Sequence, residues 1–162
     1  MNREIKFRGK TEPDGHWVYG SLISRRVFFG WLHWITYQES VDKKNELWSD
    51  CEARVKSETV GQYTGSKDKN GVKIFEGDVV NMHQFLFDGS EHETAITGVI
   101  KQGDYGWTLS RIKNKEVNDY MGYENGEGET YLVDFYGLHD ESFEVIGNEW
   151  DNPELLEVLG DE

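Results

Sequence analysis

Turn chemistry cuts this chain about every ten residues, and the apolar runs between the cuts are too short for packed helices. Glu12-Pro13-Asp14-Gly15, Lys67-Asp68-Lys69-Asn70-Gly71, Glu76-Gly77-Asp78, Asp88-Gly89-Ser90-Glu91 and Gly103-Asp104-Tyr105-Gly106 are such cuts. Proline presets φ, glycine accepts φ > 0, and Asn-Gly is the strongest short hairpin signal. Between the turns the apolar period is nearer two than 3.6, which predicts strands.

The strands expected from this pattern begin with Ile5–Arg8 and with His16–Ile23, which Ser24-Arg25-Arg26 closes as a turn. Val27–Tyr37 follows, with Phe29, Trp31, His33 and Ile35 on one face and Phe28, Leu32 and Trp34 on the other. Two apolar faces predict a strand covered on both sides. Residues 38–50 are polar and read as a loop, as do 113–129. Further strands are expected at Val72–Phe75, Val79–Phe87, Thr94–Lys101, Trp107–Ile112, Tyr131–Tyr136 and Ser142–Ile146. One short helix is expected at Asp151–Glu157, where an Asx cap precedes Pro153 at the first helical position. The fold class is therefore mainly β, with a short C-terminal helix.

Composition narrows the function classes. The 162 residues suit one domain or two small lobes, and 14% aromatic content marks a folded chain. The net charge of −14 is localised. Residues 1–80 carry 13 Lys/Arg against 12 Asp/Glu, residues 81–115 carry four of each, and residues 116–162 carry 15 acids and no base. That last third repels phosphates and anionic lipid and favours a basic partner, or simply keeps the protein soluble. Nucleic acid and membrane are accordingly not expected as partners. Cys51 is the only cysteine, so an internal disulfide and a Cys-based zinc cluster are excluded. Met1–Lys6 lacks the apolar core of a secretory signal, and Val27–Ile35, the longest apolar stretch, is about half a bilayer crossing. A reducing cytoplasm is the expected compartment.

A set of segments in order carries a resemblance. Arg3-Glu4-Ile5-Lys6-Phe7-Arg8 opens the chain, and Trp17-Val18-Tyr19-Gly20 follows. The central block runs from Gly61-Gln62-Tyr63-Thr64-Gly65-Ser66 through Lys67-Asp68-Lys69-Asn70-Gly71 to Ile74-Phe75-Glu76-Gly77-Asp78-Val79-Val80. Gly98-Val99-Ile100, Phe143–Asn148 and Asn152–Leu156 complete it. Together these resemble the YopX family of phage and prophage proteins. The resemblance covers about half the chain and leaves residues 25–57 and 110–130 unmatched. It implies a mostly-β protein with an SH3-like barrel over 59–162, an additional N-terminal β subdomain over 1–58 (or one continuous domain), and a phage or prophage gene. It carries over no catalytic residue.

The family-motif turn residues Gly65, Asp68, Asn70, Gly71, Glu76, Gly77 and Asp78 are the first candidates for a site. An EF-hand starting at Asp68 fails, because Gly71 falls at position 4 and Val79 at position 12. Backbone geometry accounts for these residues as turns. No two histidines have the i, i+4 helical metal spacing, although His83 and His92 could meet across a hairpin. No Gly-x-Ser-x-Gly elbow is present, and Gly126–Thr130 would repel phosphate with its own acids. No metal or other cofactor is expected. The six tryptophans read mainly as core, with an aromatic stacking platform as the alternative.

Three functions are left. The first is a non-enzymatic interaction module binding a host or phage protein, itself homo-oligomeric. The second is a nucleic-acid-associated module, which exposed Trp31 or Trp34 beside Arg25-Arg26 would favour. An enzyme of unknown class is the third, with no constellation to support it. The turn assignment makes one prediction of its own. Gly71→Val should cost about 1–2 kcal/mol or more, because a β-branched residue resists positive φ. An unchanged thermal melt would overturn the turn.

Overall fold

The strand Trp17–Val27 organises the first half of the chain, because it has two successive partners. In the computed structural model, which describes residues 4–85, 93–104, 106–110, 129–131 and 143–156, the chain divides into two compact units at Tyr63/Thr64. In the first unit, β1 (Phe7–Lys10), β2 (Trp17–Val27), β3 (Gly30–Asp42) and β4 (Leu47–Val55) form an antiparallel meander. Trp17–Gly20 pair with Lys10–Phe7, and Ser21–Val27 pair with Thr36–Gly30. β1 is thus exhausted where the β2–β3 ribbon begins. β5 (Gly61–Lys67) starts on the other side of β1, with Gln62 opposite Phe7.

The sheet curls so that the end of β4 reaches β1. Thr11 and Val55 form a bridge, the Lys56 N–H donates to the Lys10 carbonyl at 2.8 Å, and the Glu12 N–H to that of Arg54 at 3.1 Å. Thr59 secures this corner from a 3₁₀ turn at Ser57–Thr59. Its hydroxyl accepts from the Lys10 N–H at 2.9 Å and donates to the Lys56 carbonyl at 2.7 Å. Inside lie Val18, Ile35 and Val55, packed with Phe7, Leu22, Tyr37, Ala53 and Val60. Leu22, Ile35 and Ala53 stand side by side across β2, β3 and β4, as period-two alternation requires.

In the second unit β5 continues and pairs with β6 (Lys73–Phe75). β7 (Asp78–Phe85), β8 (Glu93–Gln102), β9 (Trp107–Ser110) and β10 (Glu129–Tyr131) form another meander. β11 (Phe143–Asn148) returns to β7, so the order is β10-β9-β8-β7-β11. Ile74, Val80, Met82, Ile100, Trp107, Leu109 and Phe143 form its core. Mainly-β architecture is thereby found, in two antiparallel sheets. Among the described residues neither sheet closes into a barrel, and no helix is long and apolar enough to cross a membrane.

Four expectations need correction. The reversal after β2 is not at Ser24-Arg25-Arg26 but at Phe28-Phe29, between paired Val27 and Gly30. Gly30 has φ +135°, which side-chain-bearing residues avoid, so the glycine positions the turn. Residues 38–50 are mostly strand, since β3 runs to Asp42 and β4 starts at Leu47. Their polarity reflects a ribbon bathed by solvent, where the ladder itself supplies the pairing. For the same reason β3 is not covered on both faces. Finally, of the helix expected at Asp151–Glu157 the described residues show a 3₁₀ turn at Pro153–Leu155. Asn152 does not cap it; its Oδ1 accepts instead from the Asn148 N–H at 3.4 Å. The expected turn at Asp88–Glu91 and the loop at 113–128 lie outside the described residues.

Candidate interaction surface

The family-motif residues form two turns in the second unit, and the carboxylates of Asp68 and Asp78 accept from backbone N–H groups there. Asp68 is buried, and its Oδ1 accepts from the N–H groups of Asn70 and Val72, both at 2.8 Å. Its Oδ2 accepts from the Val145 N–H at 3.0 Å, while the Lys69 N–H donates to the Phe143 carbonyl at 3.0 Å. One carboxylate therefore closes the β5–β6 turn and ties it to β11. Gly71, at φ +80°, donates its N–H to the Asp68 carbonyl at 2.9 Å. Burial by itself would raise the Asp68 pKa, but these N–H donors outweigh it and hold the carboxyl below the ordinary range.

The second turn works alike. Asp78 Oδ2 accepts from the Phe75 N–H at 2.7 Å. Gly77, at φ +81°, donates to the Ile100 carbonyl at 2.7 Å and accepts from the Glu149 N–H at 3.0 Å. A Cβ on Gly77 would run into the Trp150 ring. Lys101 pairs with Glu149 and lies 5.9 Å from the Trp150 ring centroid. Gly65 also has positive φ, at +95°, and Glu76 sits half-buried between Phe75 and Gly77. These residues pin strands together.

Two other polar clusters look chemical at first sight. His16 Nδ1 lies 3.1 Å from Thr11 Oγ1 and 3.1 Å from Asp14 Oδ2. A catalytic triad places nucleophile and carboxylate on opposite ring nitrogens, whereas here both meet the same one. Ser24 Oγ and His33 Nδ1 are 2.9 Å apart on the exposed ribbon. The described residues hold no group of three His, Cys, Asp or Glu able to bind a metal. His92 and the His83 side chain lie outside them. A concavity of about 480 Å³ opens where β2 parts from β3, lined by Lys6, His16, Trp17–Gly20 and Tyr37–Glu39.

The feature missed in the sequence is the end of the β2–β3 ribbon. Phe28 is 100% exposed, Phe29 89% and Trp31 58%. The phenylalanine rings meet edge to face, 6.0 Å apart. Arg26 stands opposite Trp31, and the Arg25 guanidinium covers the Trp34 ring at 4.6 Å while reaching Glu52 at 3.5 Å. Of the tryptophans only Trp107 is buried; Trp31 and Trp48 are exposed and Trp17, Trp34 and Trp150 are half-buried, which corrects the core reading. The available signal was Phe28-Phe29-Gly30, an aromatic pair ahead of the glycine that makes the turn. Exposed apolar residues gathered in one place mark contact surfaces.

A family model described as YopX protein matches residues 6–157. Subtilisin-like protease 12 of Trichophyton verrucosum and that of Arthroderma benhamiae are each 34% identical to this chain over 76 residues. Those residues are 47% of this chain but only 18% and 17% of the two proteases, so the chain spans less than a fifth of either. The crystal structure of protein EF1440 from Enterococcus faecalis is similar over 95% of this chain and 99% of its own, at 20% identity and a TM-score of 0.47.

The Asp68 geometry predicts a pH signature. A carboxyl whose folded pKa is depressed stabilises above its unfolded pKa, and that contribution disappears as pH falls through the folded value. Asp68→Asn should cost about 1.5–3 kcal/mol at neutral pH, the range for hydrogen bonds to a charged group. In denaturant titrations on acidification, the gap between wild type and Asp68→Asn should narrow. A gap independent of pH would contradict the assignment.

Proposed function

The chain belongs to the YopX family, and from that premise we infer that it is a non-enzymatic protein-interaction module. The observation that carries this is the β2–β3 tip, where Phe28, Phe29 and Trp31 meet water beside Arg25 and Arg26. Aromatic and arginine side chains in such an arrangement are the residue types that anchor protein interfaces. The partner is a phage or host protein in the bacterial cytoplasm, offering an apolar socket to the two phenylalanines. The acid-only stretch 116–162 adds attraction toward a basic surface on such a partner, and self-association accompanies it.

A nucleic-acid-associated role is the second reading. It is favoured by exposed Trp31 opposite Arg26, and by the absence of any Asp or Glu between residues 15 and 38. The net charge of −14 weighs against it, since phosphates are repelled by the chain as a whole.

Capture from host-cell lysate, with half the lysate nuclease-treated, separates the two. The interaction module predicts a stoichiometric protein partner that survives nuclease and is lost with Phe28→Ser/Phe29→Ser. The loss should be about 30-fold or more in affinity, as for truncating hot-spot aromatics. Because both rings are exposed, the melting temperature should not move. Recovery of RNA or DNA, with proteins released by nuclease, supports the nucleic-acid role instead. A partner that the double variant retains equally well removes the tip from the interface.

A further inference from the structure

β3 carries an exposed apolar patch at each of its ends, and the two patches have opposite charge. At one end are Phe28, Phe29 and Trp31. Residues 23–34 around them include Arg25 and Arg26 and no acid, a local charge of +2 with histidine neutral. Arg25 is partly engaged by Glu52 at 3.5 Å, whereas Arg26 makes no ion pair or hydrogen bond among the described residues. At the other end, Val41, Leu47 and Trp48 are exposed. Residues 38–50 there hold Glu39, Asp42, Glu46 and Asp50 against Lys43 and Lys44, a local charge of −2. The turn is ordered by Asp42, whose carboxylate accepts from the N–H groups of Lys44 and Asn45 at 2.8 and 3.3 Å. These donors hold that carboxyl below the ordinary range.

The 13 residues of β3 separate the ends by about 40 Å at a rise of roughly 3.3 Å per residue. That is several times the Debye length of about 8 Å at physiological salt, so each end presents its own local charge. The extended strand between them prevents the two patches of one chain from meeting. A like-on-like contact would bring cation to cation or anion to anion. The contact that satisfies both charge and apolar burial joins the cationic end of one copy to the anionic end of another.

We propose that this chain associates with itself head to tail, the Phe28–Trp31 end of one copy docking on the Val41–Trp48 end of the next. A phosphate-bearing ligand would account for the cationic end alone; a second copy accounts for both. The contact is heterologous, so it propagates into rings or filaments and does not stop at a symmetric dimer. The inference rests on the reading of the tip as a protein contact surface, and specifies one occupant of it.

Sedimentation velocity on the purified full chain tests it, over rising concentration and at low and high salt. Wild type should grow with concentration beyond a dimer and shrink with salt. Phe28→Ser/Phe29→Ser and Leu47→Ser/Trp48→Ser each remove one end and should each be monomeric alone. Mixed in equal amounts they should form a heterodimer and nothing larger, because each keeps the end that the other lacks. Arg26→Glu, which alters charge without altering apolar area, should also weaken association and flatten its salt dependence; it serves if a serine variant misfolds. A wild-type chain monomeric at its highest soluble concentration overturns the proposal, as does a closed dimer indifferent to these substitutions or a mixture that stays monomeric. Monomer that instead sediments with phosphatidylglycerol vesicles overturns it in favour of a lipid surface. If self-association fails while Phe28→Ser/Phe29→Ser still loses a lysate protein, only this inference falls and the interaction module stands.

Discussion

β2 gives its first four hydrogen-bonding positions to β1 and the rest to β3, and the exposed ribbon is a consequence of that division. A strand needs a partner along its edge, but its faces are covered only where the sheet curls. Near Gly20 and Thr36 the curl brings Val18, Ile35 and Val55 together and excludes water from them. Six residues further along β2 no strand remains to fold over, and Phe28 and Phe29 are left in solvent. The apolar surface at the tip therefore follows from strand length alone. Two phenylalanines at the outermost point of such a ribbon have no role in holding the sheet.

The second unit is held differently. Its two motif turns recruit buried carboxylates, which accept from backbone N–H groups that would otherwise be orphaned at a strand end. Asp68 reaches Val145, 77 residues away in sequence, so one side chain closes a local turn and also positions the returning strand β11. Gly77 is needed twice over, for its positive φ and for the Trp150 ring that lies against it. The motif turns of the second unit are thus architectural, and the exposed aromatic tip lies within residues 25–57, where the motif resemblance was silent.

That separation explains what could be read in advance. Turns announce themselves because φ > 0 admits few residues: Asn70-Gly71 and Gly77 were legible for that reason, and Gly30 was there to be read. The strands at 72–75, 94–101 and 142–146 followed from period-two patterning. The polar segment 38–50 misled, since polarity was equated with irregular chain; on an uncovered ribbon both faces are wet and the ladder tolerates Gln38 opposite Asp50, bonded at 2.9 Å. The helix at 151–157 misled because Asn152 bonds back to Asn148 and no capping bond starts the helix.

What the sequence determined by itself was local: a mainly-β chain, its turns, its family and the confinement of excess acid to residues 116–162. Those properties depend on steric limits to φ and ψ, on side-chain alternation and on counting charge, none of which needs a distant neighbour. Tertiary structure alone decided which apolar residues are core. Ile35 and Trp31 stand on the same face of the same strand, yet one is buried and the other 58% exposed. The difference is whether another strand curls over that position, and burial is a property of what lies opposite, which no single segment encodes.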